Sequence, residues 1–223
     1  LYIGWIKNKP FFIEEDKDNE QVFISIIIAV RNEENNISNI INDIREQTYN
    51  NFELIIIDDH STDSTVDVIN NYIIKNYQIK LLKLQDNLTS KKTAITKGIE
   101  KAQGKLIITT DGDCRMNKNW LKTIASFYVK YNPKMIVSPI IINDKNTFFE
   151  KAQSLEFLSL IGSGAGAINI NHAIMCNGAN LAFEKNLFFE FNDALKNNFS
   201  SGDDVFLLLK TKKKYGKKIL FLK

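Results

Sequence analysis

The sequence predicts an α/β fold with a mostly parallel central sheet that is covered by helices on both faces. Short runs of β-branched residues alternate along the chain with longer segments in which apolar residues recur at helical spacing. The first run, residues 22–30 (VFISIIIAV), is almost continuously apolar, as expected for a strand that is buried on both faces. Strands that alternate with helices of this length are joined by right-handed crossovers, so neighbouring strands run parallel.

The regular alternation predicts four strand–helix units in the first part of the chain. The predicted strands are 22–30, 52–57, 79–84 and 105–110, and the helices that follow them contain 37–44, 66–73, 90–102 and 120–131. Asn32 is expected to cap the first helix and Ser61 or Thr62 to begin the second, because these side chains accept hydrogen bonds from the free N–H groups of a first turn.

The pattern is weaker in the second part of the chain. The predicted elements there are a strand at 135–142, a helix at 148–161, a short strand at 179–183, a helix at 204–215 and a final strand at 218–222. The segment 162–167 (GSGAGA) predicts a mobile loop, because glycine weakens a helix. We expect one domain over residues 21–223, since no repeat or linker interrupts it.

The first 20 residues, expected to be a linker, leave two interpretations open. Trp5 followed by Lys7 and Lys9 is typical of the cytoplasmic edge of a membrane helix, which would make the segment juxtamembrane. A short strand or helix that packs on the domain fits the same residues. The acidic stretch 14–20 is expected to be solvated.

The composition is that of a globular domain. The chain has 223 residues, of which 44% are hydrophobic and 25% charged, so collagen-like, disordered and disulfide-scaffold classes are excluded. The net charge of +3 gives no general argument for nucleic-acid binding. Cys114 and Cys176 form no CxxC motif, which favours a reduced, cytosolic setting. No apolar run approaches the roughly 20 residues that span a bilayer.

Charged and polar residues follow the predicted strands, at the sheet edge where ligands bind in open parallel sheets. They are Arg31, Asn32 and Glu33 after the first strand, Asp58, Asp59 and His60 after the second, Lys91 and Lys92 before the third helix, and Asp111 and Asp113 after the fourth strand. Carboxylates that meet at one edge need a counter-ion, and hard divalent cations bind carboxylate and phosphate oxygens together. The convergence therefore predicts a site for a divalent metal and a phosphate.

The sharpest local motif is Asp111-Gly112-Asp113. Two carboxylates at i and i+2 after a strand can share one metal, and Gly112 lets a ligand approach the backbone closely. The alternative is an ordinary Asp-Gly turn. Cys114 is expected to be a packing residue, because magnesium and manganese sites do not select a soft thiolate.

Two further motifs lie in the second part of the chain. Residues 201–204 (SGDD) precede an apolar helix, so Asp203 can be an N-cap, which leaves Asp204 to be explained. A carboxylate placed there can act as a general base. Residues 176–180 (CNGAN) predict a tight turn that borders a pocket.

Together these motifs resemble family 2 glycosyltransferases of the GT-A fold, the group that includes cellulose and hyaluronan synthases and many bacterial polysaccharide enzymes. The resemblance covers residues 22–223. The matching segments are SIIIAVRNEENNI at 25–37, FELIIIDDHSTDST at 52–65, SKKTAITKGIEKAQGKLIITTDGDC at 90–114 and SGDDVFLL at 201–208. The resemblance implies a Rossmann-like, three-layer α/β/α domain.

The resemblance also implies roles for individual residues. The nucleotide-sugar site would comprise Val30, Arg31, Asn32, Glu33, Asp59, Lys91, Asp111 and Gly112, with Asp59 on the uracil or ribose and Lys91 on the diphosphate. Asp113, with Asp111, would hold Mn²⁺ or Mg²⁺. Asp204 would be the general base beside Asp203. The sugar or acceptor pocket would comprise Asn177, Gly178, Ala179 and Asn180.

The reaction implied is an inverting transfer of a sugar from a UDP-sugar to a hydroxyl of a glycan or a lipid-linked acceptor. The expected location is the cytoplasm or the cytoplasmic face of a membrane, with membrane association through the native N-terminus and no nucleic-acid partner. Two departures from the family matter. Asp203 stands where the usual residue is Glu, and the chain stops before any Gln-x-x-Arg-Trp segment, so we expect a C-terminal truncation.

Three other functions fit parts of the same pattern. A haloacid-dehalogenase-like phosphatase also uses a strand-end DxD, but it has Thr or Val where this chain has Arg115. A receiver-like module ends after about 120 residues, which leaves the chain from Met135 onward unexplained. A GT-A domain that binds a nucleotide without turnover differs from an enzyme in not needing Asp204.

Overall fold

A single seven-stranded sheet runs through the part of the chain that the computed structural model describes, namely residues 1–13, 22–74, 78–142, 147–195 and 202–223. Its strands are β1 (Ile24–Val30), β2 (Phe52–Asp58), β3 (Ile79–Lys83), β4 (Leu106–Asp111), β5 (Met135–Val137), β6 (Leu181–Glu184) and β7 (Ile219–Phe221). Their order across the sheet is β3-β2-β1-β4-β6-β5-β7.

Helices cover both faces of this sheet. They are α1 (Tyr2–Lys7), α2 (Ile37–Arg45), α3 (Thr65–Ile73), α4 (Lys91–Lys101), α5 (Trp120–Tyr131), α6 (Phe148–Asn169), α7 (Lys185–Leu195) and α8 (Asp203–Tyr215). A short 3₁₀ turn, Gly178–Asn180, precedes β6. The three-layer α/β/α architecture predicted from the sequence is confirmed.

The parallel register at the centre of the sheet brings three strand ends together. β1 lies between β2 and β4 and is parallel to both. Val30 pairs with Asp58, and Ala29 pairs with Asp111. The polar residues that follow β1, β2 and β4 therefore share one edge, as the sequence predicts. β6 runs antiparallel to β4, which adds the 3₁₀ turn to the same edge.

The core consists of two layers, one on each side of the sheet. Consecutive residues of a strand point to opposite faces, so Ile26 and Ile28 belong to the core layer that includes α2 and α5, whereas Ile27 belongs to the layer that includes α4 and α8. All three side chains are fully buried. Burying one such side chain contributes roughly 1.5–3 kcal/mol. This two-sided burial explains why the strand is apolar at nearly every position.

The prediction of a loop at 162–167 is wrong, because this segment is the last part of α6. One of its glycines, Gly166, packs closely against the start of α1. A Cβ added to Gly166 would lie 2.4 Å from the carbonyl oxygen of Leu1, and one added to Gly4 would lie 2.0 Å from the carbonyl oxygen of Gly166. Backbone contact between the two helices therefore requires glycine at these positions.

The first segment of the chain packs on the domain. Trp5 lies with its ring centre 6.5 Å from that of Phe221, and the Lys223 ammonium lies 4.1 Å from the centre of the Trp5 ring. Among the described residues, the helices are each too short or too polar to cross a membrane. The membrane contact and the division into linker and domain stay predictions, and residues 14–20 lie outside the described part.

Other element bounds differ from the sequence prediction. The strand predicted at 135–142 ends at Val137, because Pro139 has no N–H to donate to a neighbouring strand. α7 was not predicted, although Leu187, Phe188 and Phe191 recur at helical spacing and pack into the core. The predictions that Asn32 caps the helix after β1 and that Ser61 or Thr62 begins the helix after β2 are also wrong. The N-caps of α2 and α3 are Asn36 and Ser64.

Candidate active site

Three consecutive residues at the start of α4 contact three separate acidic groups. The Ser90 N–H donates to Asp59 Oδ2 at 3.2 Å. Lys91 Nζ lies 2.6 Å from Asp111 Oδ1, and Lys92 Nζ lies 3.0 Å from Asp203 Oδ1. These aspartates follow β2, end β4 and begin α8, respectively. The start of α4 is therefore the point at which the separate motifs meet.

Most of the predicted nucleotide-sugar residues line one cavity of about 260 Å³, called cavity A. Its lining comprises Ala29, Val30, Arg31, Glu33, Asp59, Lys91, Asp111, Gly112 and Asp113. Asn32 is not part of this lining. Its backbone is left-handed, with φ of 56°, and its side-chain oxygen accepts a hydrogen bond from the Thr62 N–H at 2.8 Å. Asn32 thus shapes the loop after β1.

The two aspartates after β2 have different surroundings. Asp58 is buried, and its Oδ1 accepts a hydrogen bond from the Ser61 N–H at 3.2 Å, so it holds its own turn. Asp59 is 7% exposed and lines cavity A. Its Oδ1 lies 3.0 Å from His60 Nδ1. Of the pair, Asp59 is the one that can meet a ligand, as the resemblance implies.

Gly112 allows the loop after β4 to approach the loop after β1. A Cβ at this position would lie 3.2 Å from Val30 Cγ1 and 3.3 Å from Glu33 Cγ. A side chain there would push against both residues and narrow cavity A. Gly112 therefore also accommodates the protein's own loop, and its close approach to a ligand stays a prediction.

Asp111 and Asp113 line cavity A together, with Asp113 exposed and Asp111 partly exposed. Within the described residues, no cluster of three or more His, Cys, Asp or Glu side chains is placed to hold a metal ion. Two carboxylates fit a site in which the remaining oxygen ligands come from a diphosphate and water, which is usual for Mg²⁺. Asp111 Oδ1 already contacts the Lys91 ammonium, so a metal on that oxygen requires Lys91 to move.

A second cavity of about 300 Å³, cavity B, adjoins cavity A at Lys91 and Asp111. Its polar lining residues include Lys92, Asp203 and Asp204. Its apolar lining residues are Ile95, Ile99, Leu181, Phe183, Phe188 and Leu207. The two acidic motifs that are distant in sequence therefore face connected spaces.

The Asp204 carboxylate is held by two backbone N–H groups. Oδ2 accepts a hydrogen bond from Gly178 at 2.9 Å, and Oδ1 accepts one from Val205 at 2.8 Å. α8 begins after Gly202, whose φ of 89° suits glycine. The N-cap expected at Asp203 is thus Gly202, and Asp203 is the first residue of the helix. Ser201 lies outside the described residues.

The turn at 177–180 is fixed from several sides. The Thr109 hydroxyl donates to the Gly178 carbonyl at 2.6 Å, and Asn177 Oδ1 accepts a hydrogen bond from the Ala179 N–H at 2.9 Å. Trp120 Nε1 donates to Asn180 Oδ1 at 3.0 Å. Thr109 and Trp120 were not among the predicted site residues. The signal for Thr109 was its position where the apolar run of β4 gives way to Thr109, Thr110 and Asp111.

The predicted sugar or acceptor residues face two spaces. Asn177, Gly178 and Ala179 line cavity B. Asn177, Ala179 and Asn180 also line a third cavity of about 710 Å³, cavity C, beside Asp111 and Asp113. Cavity C is completed by Thr110, Cys114, Arg115, Met116, Asn117, Trp120, Pro139, Ile140, Ile141 and Ile142. The turn therefore borders both cavity B and cavity C.

Both cysteines are packing residues in protonated form. Burial, together with the charge of Asp204, raises the pKa of the Cys176 thiol well above its usual range. Burial also raises the pKa of the Cys114 thiol, and the nearby charges of Asp111 and Asp113 act in the same direction. Neutral thiols are poor ligands for hard cations, which agrees with the packing role expected for Cys114.

The comparisons with known proteins identify the family. The model of "Glycosyl transferase family 2" matches residues 25–189. Poly-beta-1,6-N-acetyl-D-glucosamine synthase of Staphylococcus epidermidis is 29% identical over 184 residues, which cover 76% of this chain and 43% of that protein. The chain thus spans less than half the length of this relative.

Solved glycosyltransferase structures share the fold. TarS of S. aureus in complex with UDP-GlcNAc superposes with a TM-score of 0.66 at 19% identity, covering 89% of this chain and 55% of that chain. The mannosyltransferase PcManGT of Pyrobaculum calidifontis, in complex with GDP-Man and Mn²⁺, superposes with a TM-score of 0.70 at 16% identity, covering 99% of this chain and 60% of that chain. With the family match and the geometry in agreement, the chain belongs to glycosyl transferase family 2.

Proposed function

We propose that this chain is the catalytic domain of an inverting glycosyltransferase that moves a sugar from a UDP-sugar to a hydroxyl acceptor. One observation carries the proposal. Cavity A, whose lining suits a nucleoside diphosphate, adjoins cavity B at Lys91 and Asp111, and cavity B contains the Asp204 carboxylate. A donor with its diphosphate at this junction would present its sugar to Asp204.

Cavity A supplies the groups that a uridine diphosphate needs. Asp59 offers a carboxylate acceptor to the imide N–H of uracil. Lys91 offers an ammonium group to the diphosphate, which would stabilise the charge that grows there as the sugar leaves. TarS binds UDP-GlcNAc and PcManGT binds GDP-Man. The fold that this chain shares with them is therefore compatible with a nucleotide-sugar donor.

Asp111 and Asp113 are the residues that would hold Mn²⁺ or Mg²⁺. When bound, such an ion supplies positive charge next to the departing diphosphate. The PcManGT structure is a complex with both GDP-Man and Mn²⁺. The Lys91 ammonium, now on Asp111, would be free to turn toward the diphosphate once a cation takes its place.

Asp204 would act as the general base. Each of its oxygens accepts one backbone N–H and keeps a lone pair for the acceptor proton. The acceptor oxygen would attack the anomeric carbon from the side opposite the diphosphate. Its proton would pass to Asp204, the bond from the sugar to the diphosphate would break, and the electron pair would leave with the diphosphate. Attack from the opposite side inverts the anomeric centre.

Cavity C is the proposed acceptor site. It shares Thr110, Asp111, Asn177 and Ala179 with cavity B, so an acceptor there lies next to the donor sugar. Its remaining lining combines amide side chains with Trp120 and three isoleucines, a mixture that suits a sugar ring or a lipid-linked glycan.

The other functions considered have less support. Arg115, at the position where a phosphatase needs Thr or Val, makes a bidentate ion pair with Asp43 at 2.7 and 2.9 Å. It thus holds the loop after β4 on α2. A domain that binds nucleotides without turnover shares cavity A, and the two functions differ in whether Asp204 is needed for transfer.

A thermal-shift panel tests donor binding. UDP, UDP-GlcNAc, UDP-glucose and GDP-mannose would each be added with Mn²⁺ and with EDTA. At 100 times its Kd a ligand stabilises a protein by about 2.7 kcal/mol, which raises the Tm of a domain of this size by roughly 5–10 °C. Asp59→Ala should remove the shift, whereas Asp67→Ala, an exposed residue of α3, should keep it. If no nucleotide raises the Tm, the proposed function is wrong.

A further inference from the structure

The ion pair between Lys92 and Asp203 connects the start of α4 to the start of α8. Lys92 Nζ lies 3.0 Å from Asp203 Oδ1, and the side chains are only 19% and 30% exposed. The Asp203 Oδ1 atom is buried from solvent and makes no hydrogen bond with the described residues, so the Lys92 ammonium compensates its charge as an ion pair. A buried carboxylate oxygen needs a cation or a donor close by, so the position of Asp203 depends on Lys92.

Adjacent lysines of α4 have different partners. Lys91 contacts Asp111 at the end of β4, whereas Lys92 contacts Asp203 on the far side of cavity B. The sequence alone predicts both lysines as cations at the sheet edge. Their separate partners give them separate tasks, because only Lys91 also lines cavity A.

The first turn of α8 needs such a tether. The helix begins after Gly202, which has no side chain to cap it. Asp204, in this same turn, must stay within hydrogen-bond distance of the Gly178 N–H. A shift of the turn would move both aspartates together, because they are consecutive residues.

We infer that Lys92 is a positioning residue that holds Asp203, and with it the first turn of α8, so that Asp204 stays on the Gly178 N–H and faces cavity B. This inference assigns different tasks to the acidic pair. Asp203 anchors the helix to α4, and Asp204 faces the reacting groups. The consequence for catalysis rests on the proposed function, whereas the tether itself does not.

The test compares Lys92→Met with two other variants. Lys92→Arg retains the charge, and Lys97→Met removes a lysine from the same helix whose ion pair with Glu100 is also 3.0 Å long but exposed. The first readout is the hydrogen-exchange rate of the Gly178 amide, measured by NMR without any substrate. The second is sugar transfer, measured as kcat and the donor KM.

Lys92→Met should raise the exchange rate of the Gly178 amide about 10-fold and lower kcat by about 10-fold, with the donor KM within about two-fold of the parent value. Lys92→Arg should keep the Gly178 exchange rate and kcat close to the parent values, and Lys97→Met should leave both at the parent values. Asp203→Asn removes the pair from the other side and should raise Gly178 exchange similarly. The double variant should add little to either single change.

Unchanged Gly178 exchange in Lys92→Met would overturn the inference, whatever the transfer rate. If Lys92→Met does not fold, the Gly178 exchange rate of Asp203→Asn is the deciding measurement, and an unchanged rate would overturn the inference. A parent chain that transfers no sugar but shows the Lys92 effect on Gly178 would keep the tether and refute the proposed function.

Discussion

Thr109→Val tests whether the turn at 177–180 positions the Asp204 carboxylate. The Thr109 hydroxyl donates to the Gly178 carbonyl at 2.6 Å, while the Gly178 N–H donates to Asp204 at 2.9 Å. One peptide segment is therefore held by β4 on one side and by α8 on the other. Valine has nearly the same shape and suits a strand, so the variant removes the hydroxyl and little else.

The expected cost follows from that one hydrogen bond. A neutral hydrogen bond contributes about 1 kcal/mol net, and a carbonyl left without a donor costs more when it is buried. Gly178 is half-buried, so water can replace part of the interaction. We expect a loss of about 1 kcal/mol in the free energy of unfolding, which lowers the Tm by roughly 2–4 °C. Because the turn also holds Asp204, transfer should slow by roughly 3–10-fold.

Urea unfolding and steady-state transfer measure the two effects, with Thr211→Val as the matched control. Thr211 is fully buried, and its hydroxyl donates to the Leu207 carbonyl at 2.8 Å within α8. That carbonyl is in position to accept a helical N–H as well, so the control should change stability by less than about 0.5 kcal/mol. If Thr109→Val unfolds at the parent midpoint and transfers at the parent rate, the turn does not position Asp204.

Two further predictions concern the pH dependence of stability and the metal. Burial alone would raise the pKa of Glu53, but hydrogen bonds from Lys80, Ser25 and Gln103 lower it below its usual value. Glu53 therefore stabilises the fold above the pKa of the unfolded chain, about 4.3, and this contribution is lost as the pH falls through the folded pKa. Glu53→Gln should have a lower free energy of unfolding than the parent at pH 7, and urea unfolding should show this difference shrinking below pH 4. A difference that stays constant with pH would contradict the lowered pKa of Glu53. UDP should bind more tightly with Mn²⁺ than with EDTA, and Asp113→Ala should abolish that gain in affinity without lowering the Tm. If calorimetry shows that the parent chain binds UDP equally well with Mn²⁺ and with EDTA, a metal at Asp113 is excluded.

The parts of the fold that the sequence could predict are those determined by local pattern. Ile26, Ile27 and Ile28 are buried on alternate faces, and such runs identify strands in a parallel sheet. Once the strands are parallel, the residues after β1, β2 and β4 must meet at one edge. The charged members of cavity A, such as Asp59 and Asp111, could therefore be named without coordinates, whereas Val30 came only from the family resemblance and Ala29 was missed.

The rest depends on contacts between distant segments. The segment 162–167 is helical because Gly166 packs against the start of α1, at the beginning of the chain. This contact outweighs the low helix propensity of glycine. The Asp204–Gly178 hydrogen bond and the Lys92–Asp203 ion pair also join segments that are far apart in sequence. A residue pattern in either segment cannot specify its partner.

The most direct test of the account is sugar transfer by Asp204→Asn beside Asp203→Asn. Asparagine keeps the size of the side chain and an oxygen for the Gly178 N–H, but it cannot take the acceptor proton. Asp204→Asn should lower turnover by roughly 10²–10⁴ while donor affinity stays within a few-fold of the parent value. Asp203→Asn should cost less, because Asp203 acts through position. Transfer at the parent rate by Asp204→Asn would contradict its role as the general base, and normal transfer by both variants would reduce the acidic pair to the start of a helix.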